Sequence, residues 1–178
     1  MADRLSALPR ASFPALLLSL LTGAGAVAGF APFGLWPLPI VSLAVLFGQL
    51  SRSASVRSGF LTGLAWGLGF FLTGVSWVFV SLWVYGGMPA WLAGLATFLF
   101  CAFLALFPAM VGALQASLKD HVAPVQRALL LLPLAWGVSE WSRGWIFTGF
   151  PWLVTGYSQV ADGPLAGYAP LVGVYGVS

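Results

Sequence analysis

Glu140 and Arg143 stand close together in an otherwise apolar stretch, Ser139-Glu140-Trp141-Ser142-Arg143-Gly144-Trp145. Three residues apart, they share one face of a helix and can pair. Charges at membrane depth are costly, and they are as a rule paired or functional. Two readings stay open on the residues alone: a functional pair, or a structural ion pair at the end of a helix. His121 is the single histidine and sits beside Lys119 and Asp120 in a polar loop, which reads as a solvated residue. Cys101 is the single cysteine, in the middle of an apolar run. It has no internal disulfide partner and reads as a small apolar filler. No cluster of His, Cys, Asp and Glu has metal-ligand spacing, and no Gly-rich phosphate loop follows a strand. No nucleophile, base and orienting group form a set. The expectation is no catalytic residue, no metal and no cofactor in this chain.

Thr148-Gly149-Phe150-Pro151-Trp152 and Gly156-Tyr157-Ser158-Gln159 follow directly. Gly and Pro here interrupt a helix. Aromatics beside a broken backbone can form a wall for acyl chains or head groups; the plainer alternative is an interfacial loop with belt aromatics.

The elements that must position these residues follow from composition. Of the 178 residues, 60% are hydrophobic and 6% are charged, where a soluble domain carries about a quarter charged. Such a chain cannot cover its surface with water-compatible groups, so an all-α integral membrane protein is expected. A span needs about 20 apolar residues, which allows five or six helices. The apolar runs place spans at about 11–30, 35–50, 59–84, 90–118 and 128–147, with a sixth beginning at 165 and incomplete at 178. Pro108 marks an expected kink in the fourth. The fold class expected is a polytopic helix bundle of five spans plus the start of a sixth. Gly59, Gly63 and Gly67 are spaced by four and lie on one helix face, where small residues let backbones approach in lipid. Gly25 and Gly29 repeat the spacing. Trp36, Trp83, Trp91, Trp145 and Trp152 fall near span ends, as in an interfacial belt.

Six of the seven basic residues fall on one side if the spans alternate: Arg4, Arg10, Arg52, Arg57, Lys119 and Arg127. Arg143 alone falls on the other. The positive-inside rule then puts the N-terminus in the cytoplasm. It also accounts for the net charge of +3 without nucleic acid, since no basic patch carries interleaved aromatics. Arg4 and Arg10, an apolar core and Ala24-Gly25-Ala26 also carry the pattern of a cleavable signal peptide. The apolar run continues past that site, and the charge alternation needs the first crossing, so a retained span is expected.

Taken together, several segments resemble the membrane domain of the bacterial apolipoprotein N-acyltransferase family. They are Glu140-Trp141, Arg143-Gly144-Trp145, Thr148-Gly149-Phe150-Pro151-Trp152 and Gly156-Tyr157-Ser158-Gln159. Ala31-Pro32-Phe33 with Trp36-Pro37, Gly67 to Trp77 with Val78-Phe79-Val80-Ser81, Gly86-Gly87-Met88-Pro89, Asp162-Gly163-Pro164-Leu165 and Gly173-Val174-Tyr175-Gly176 follow in family order. The resemblance covers almost all of the chain. It implies transfer of an acyl chain from a phospholipid donor to the N-terminal amine of the diacylglyceryl-cysteine of an apolipoprotein acceptor, through a thioester on the enzyme. It implies the periplasmic face of the bacterial inner membrane. The family's catalytic Glu, Lys and Cys belong to a periplasmic carbon–nitrogen hydrolase domain, expected to be absent from a chain that stops at Ser178. Cys101 is no substitute, because no Lys or Glu lies within reach along its helix. The chain alone is therefore expected to be inactive, as part of a longer enzyme. Within it, the resemblance implies that Phe150, Trp152 and Tyr157 face lipid or substrate, and that Glu140 and Arg143 support their loop. A transporter fragment is the rival, weakened because spans one to four carry no charge in their interiors. A non-catalytic membrane anchor or assembly module is the other.

Overall fold

A computed structural model describes residues 11–160 and 163–178. Arg4, Arg10 and Asp162 lie outside the described residues, which contain helices, turns and loops and no strand. α1 (Phe13–Ala26) and α2 (Pro37–Ser51) each begin with Pro in the first turn, where the missing N–H costs nothing. A single 3-10 turn, Val27–Gly29, extends α1. The hairpin between them is closed by the Leu35 N–H donating to the Ala28 carbonyl at 3.0 Å. α3 (Val56–Gly74) starts at Ser55, whose hydroxyl accepts the Ser58 N–H at 3.2 Å. This is a side-chain N-cap, satisfying one of the orphan donors of the first turn.

The apolar run 59–84, expected as one helix, is two. α3 stops at Gly74, and α4 (Trp77–Val80), extended by a π turn over Ser81–Tyr85, leaves at 48° to it. α5 (Ala90–Ser117) continues through Pro108 as one helix. α6 (Pro124–Gln126) passes through a π turn, Arg127–Leu131, into α7 (Leu132–Arg143). α7 therefore ends four residues before the expected 147. Three 3-10 turns follow before α8 (Ala169–Val177), which is broken at Gly173 with φ +70°.

α3 is the central element. A Cβ at Gly59 would overlap the Gly112 carbonyl, and one at Gly63 the Pro108 carbonyl. One at Gly67 would lie 2.8 Å from the Ala105 Cα. The partners fall in number as the glycines rise, so α3 and α5 are antiparallel with their backbones in contact. On another face of α3, Gly69 meets the Leu20 carbonyl, and Gly23 of α1 meets the Trp66 carbonyl, again antiparallel. The bundle thus has two ends. One carries the start of α1, the α2–α3 connection and the end of α5. The other carries the α1–α2 hairpin, the end of α3 and the end of α7.

Trp66, Phe70, Leu46, Leu50, Leu104 and Leu132 are fully buried between the helices. Trp66 stacks on Phe70 at 4.7 Å and meets Trp136 edge-on at 5.2 Å. Its indole N–H donates to Ser42 Oγ at 2.8 Å, and Ser42 donates to the Thr22 carbonyl at 2.7 Å. Ser19 and Gln49 bond through their side chains. These polar groups are satisfied inside the core, as burial requires. The outer surface is the reverse of a soluble one: Leu99, Met110, Leu129 and Leu134 are all more than half exposed.

By length and apolarity, α5 can cross a membrane by itself, and α3 with the Trp77–Tyr85 segment passes as a bent pair. Phe13–Gly29, Pro37–Ser51 and Ala166–Val177 are shorter apolar helices. Helix length alone therefore supports one or two of the five expected spans.

Candidate functional site

α7 ends in a run that buries both of its charges. Glu140 and Arg143 are each less than 5% exposed, and their closest N···O approach is 3.9 Å, at the outer limit of an ion pair. Their shorter contacts go to the chain beyond the helix. Arg143 Nη1 donates to the Phe150 carbonyl at 3.0 Å and also to the Trp152 carbonyl. The Phe150 N–H returns to the Arg143 carbonyl at 2.8 Å. The guanidinium also lies 5.1 Å from the centre of the Phe71 ring, within cation–π range. Glu140 Oε1 accepts the Thr155 N–H at 2.9 Å, and both carboxylate oxygens lie 3.0 Å from Thr155 Oγ1. Trp136, one helical turn before Glu140, donates its indole N–H to the same hydroxyl at 3.1 Å. Charge-assisted hydrogen bonds of this kind offset the cost of burying both ions.

The segment so held has an unusual backbone. Phe147, Thr148 and Leu153 have φ of 50°, 76° and 55°, a left-handed region that non-glycine residues seldom occupy. Such conformations persist only where the surroundings over-determine them. Gly149, at φ +82°, packs so close to the Gly144 carbonyl that a Cβ would overlap it.

Between this segment and α5 lies a cleft of about 550 Å³. Phe100, Phe103, Phe107, Phe147 and Phe150 line it, with Arg143 at its wall. Phe100 meets Phe150 edge-on at 4.9 Å, and Phe103 meets Phe147 at 5.7 Å. Trp152 is half exposed; its ring lies 6.4 Å from Phe150 and 5.4 Å from Trp77. Tyr157 is also half exposed, and neither it nor Trp152 lines the cleft. Of the three aromatics singled out in the sequence, the structure brings Phe150 and Trp152 together and leaves Tyr157 apart. Cys101 is fully buried with Sγ 3.5 Å from the Phe71 carbonyl. Among the described residues, no three His, Cys, Asp or Glu side chains converge.

Sequence reasoning missed Thr155, Trp136 and the phenylalanine row of α5. Phe100, Phe103 and Phe107 recur at helical spacing, a signal that could have flagged one face of α5. No comparable signal marks Thr155. An apolar cleft beside a buried, hydrogen-bonded pair of opposite charges can receive a hydrocarbon chain; the one hydroxyl in its lining is that of Thr148.

A family model described as the apolipoprotein N-acyltransferase N-terminal domain matches residues 22–178. The chain is 45% identical over 163 residues to an apolipoprotein N-acyltransferase of Nitrosomonas europaea, covering 92% of this chain and 32% of that protein. It is 47% identical over 171 residues to one of Ralstonia nicotianae, covering 96% and 32%, and 48% identical over 163 residues to one of Methylococcus capsulatus, covering 92% and 32%. The chain thus spans about a third of the length of the curated relatives it matches.

Proposed function

The chain belongs to the apolipoprotein N-acyltransferase N-terminal domain family, and from that premise we propose that it is the membrane portion of an N-acyltransferase of bacterial lipoprotein maturation. The donor in this reading is a membrane phospholipid, and the acceptor is the N-terminal amine of the diacylglyceryl-cysteine of an apolipoprotein. The acyl carbon leaves its ester oxygen for an enzyme thiol and then passes to the amine. We place that chemistry in the part of the relatives' length that this chain does not match, and we expect the 178 residues alone to transfer nothing.

The observation that carries the reading is the phenylalanine cleft beside the Arg143-held loop. It is apolar enough for an acyl chain, and it opens at the end of the bundle where α7 gives way to irregular backbone. Phe150 and Trp152 are the residues we assign to lipid contact. Tyr157 is assigned to the outer rim, and Glu140 with Arg143 to support of the loop. Five crossings, with the start of a sixth, put the N-terminus in the cytoplasm of an inner membrane and the loop on its outer face. This agrees with the positive-inside rule and with the exposed leucines of the outer surface. Phe13–Gly29 and Pro37–Ser51 reach only about 22–26 Å at 1.5 Å per residue. Local thinning and interfacial anchoring accommodate so modest a mismatch.

Incubating the purified chain with phospholipid and a diacylated lipopeptide tests the division of labour. No N-acylated product is expected. Clear product formation would place the chemistry within these residues and overturn the assignment.

A further inference from the structure

The end of the bundle opposite the loop carries a second cleft, mostly apolar in surface, into which several polar side chains reach. Gln49, Arg52, Ser53, Ser58 and Thr62 line a space of about 360 Å³ between the start of α1, the end of α2 and the start of α3. A neighbouring space of about 330 Å³ shares Ser58 and Ala11 with it and is lined by Arg57 and Ser55. The two are parts of one groove, and among the described residues no carboxylate lines either. Ser58 and Thr62 are more than nine-tenths buried. A third cation, Lys119, donates to the Ala54 carbonyl at 2.6 Å and pins the α2–α3 connection from the end of α5.

We propose that this groove holds the phosphate head of one anionic phospholipid from the leaflet at that end. The reading rests on the membrane insertion proposed above. Two arginines, with no carboxylate in the lining among the described residues, together with the hydroxyls of Ser53, Ser58 and Thr62, match a phosphodiester in charge and in hydrogen bonding. Basic pockets between membrane helices on the cytoplasmic side are known to take such head groups. A lipid fits better than free phosphate because the groove continues into hydrocarbon-compatible surface. Pro14 and Leu18 form part of its lining, and Leu17, Leu20 and Leu21 of the same helix are exposed. The acyl chains of a lipid whose head sits in the groove lie along that face. Nothing in this role touches the proposed acyl transfer: the bound lipid braces α1, α2 and α3 at the end remote from Phe150.

The test is native mass spectrometry of the 178-residue chain in detergent, with equal phosphatidylglycerol and phosphatidylcholine added. A chain that stays soluble without detergent refutes the membrane reading itself; the remaining outcomes concern the groove alone. One phosphatidylglycerol is expected to be retained in preference to phosphatidylcholine. The R52Q/R57Q variant should lose that preference by about tenfold or more, since each cation near a surface contributes a factor of about five. Ala15 also lines the groove; Ala15→Leu narrows it without changing charge, and it should lose the preference too, which a diffuse attraction to exposed arginines would not do. Equal retention of both lipids, unchanged retention by either variant, or displacement of the lipid by millimolar inorganic phosphate would overturn the proposal.

Discussion

Thr155 donates its backbone N–H to Glu140 Oε1 across 2.9 Å, and its hydroxyl lies 3.0 Å from both carboxylate oxygens. Arg143, one turn further along α7, holds the Phe150 and Trp152 carbonyls. The two charges thus do more for the loop than for each other, since they approach only to 3.9 Å.

Glu140→Ala should accordingly be among the most damaging single substitutions in the chain. It leaves a buried guanidinium uncompensated and the Thr155 amide without an acceptor. Loss of one member of a buried pair costs about 3–5 kcal/mol, read as a lower midpoint of thermal unfolding in detergent. Thr155→Val keeps the amide bond but removes the hydroxyl from both Glu140 and Trp136, at a cost of about 1–3 kcal/mol. A double-mutant cycle between the two positions should show strong coupling; additive effects would contradict the clamp.

Gly63→Ala tests the central packing. Its Cβ would lie inside the Pro108 carbonyl and 2.9 Å from the Ala109 Cα, so α3 and α5 must separate. Overpacking of this kind costs about 1–3 kcal/mol. Gly48→Ala is the control, because nothing lies within 4 Å of the added carbon and helix propensity favours the change. Equal midpoints for the two variants would rule out close α3–α5 contact.

Much of the helical fold could be read in advance, and the reasons are local. Runs bounded by Pro, Gly and charge coincide with helices: 35–50 with Pro37–Ser51, and 90–118 with Ala90–Ser117. The bend after Gly74 carries only a weak mark, because Gly59, Gly63, Gly67 and Gly69 recur inside α3 without ending it and the run continues through Val75 and Trp77 without a charge or proline. The left-handed residues Phe147 and Leu153 are silent, since neither side chain favours positive φ. At the site, the three-residue spacing of Glu140 and Arg143 announced a shared face. Their real partners are mostly backbone groups of 150–155, which any residue type supplies, with the Thr155 hydroxyl as the one side chain among them, and a lone threonine carries no mark of that role.

Cysteine labelling checks the topology. Cys101 is fully buried and should remain silent, so single substitutions can be read against it. His121→Cys, in the exposed loop after α5, should react with a membrane-impermeant maleimide only after the cytoplasmic side is opened. Phe147→Cys, where the native side chain is 83% exposed, should react from the outer side. Labelling of both from one side would contradict the proposed alternation.

Trp152 separates lipid contact from folding. Its half-exposed ring rests on Trp77 at 5.4 Å, so Trp152→Ala should cost little stability. In an enzyme containing this segment it should slow acyl transfer. Phe150→Ala, by contrast, removes the edge contact with Phe100 and should lower both stability and turnover. Unchanged turnover in the Trp152 variant would remove that residue from the lipid path.

The most direct test of the account is a graft. The matched third of a curated relative, such as the Nitrosomonas europaea protein at 45% identity, is replaced by this chain. The chimera is then assayed for acyl transfer from phospholipid to a diacylglyceryl-cysteine peptide. The account predicts N-acylated product from the chimera and none from the 178 residues alone. A chimera that inserts and folds but transfers no acyl chain, or an isolated chain that does, would contradict it.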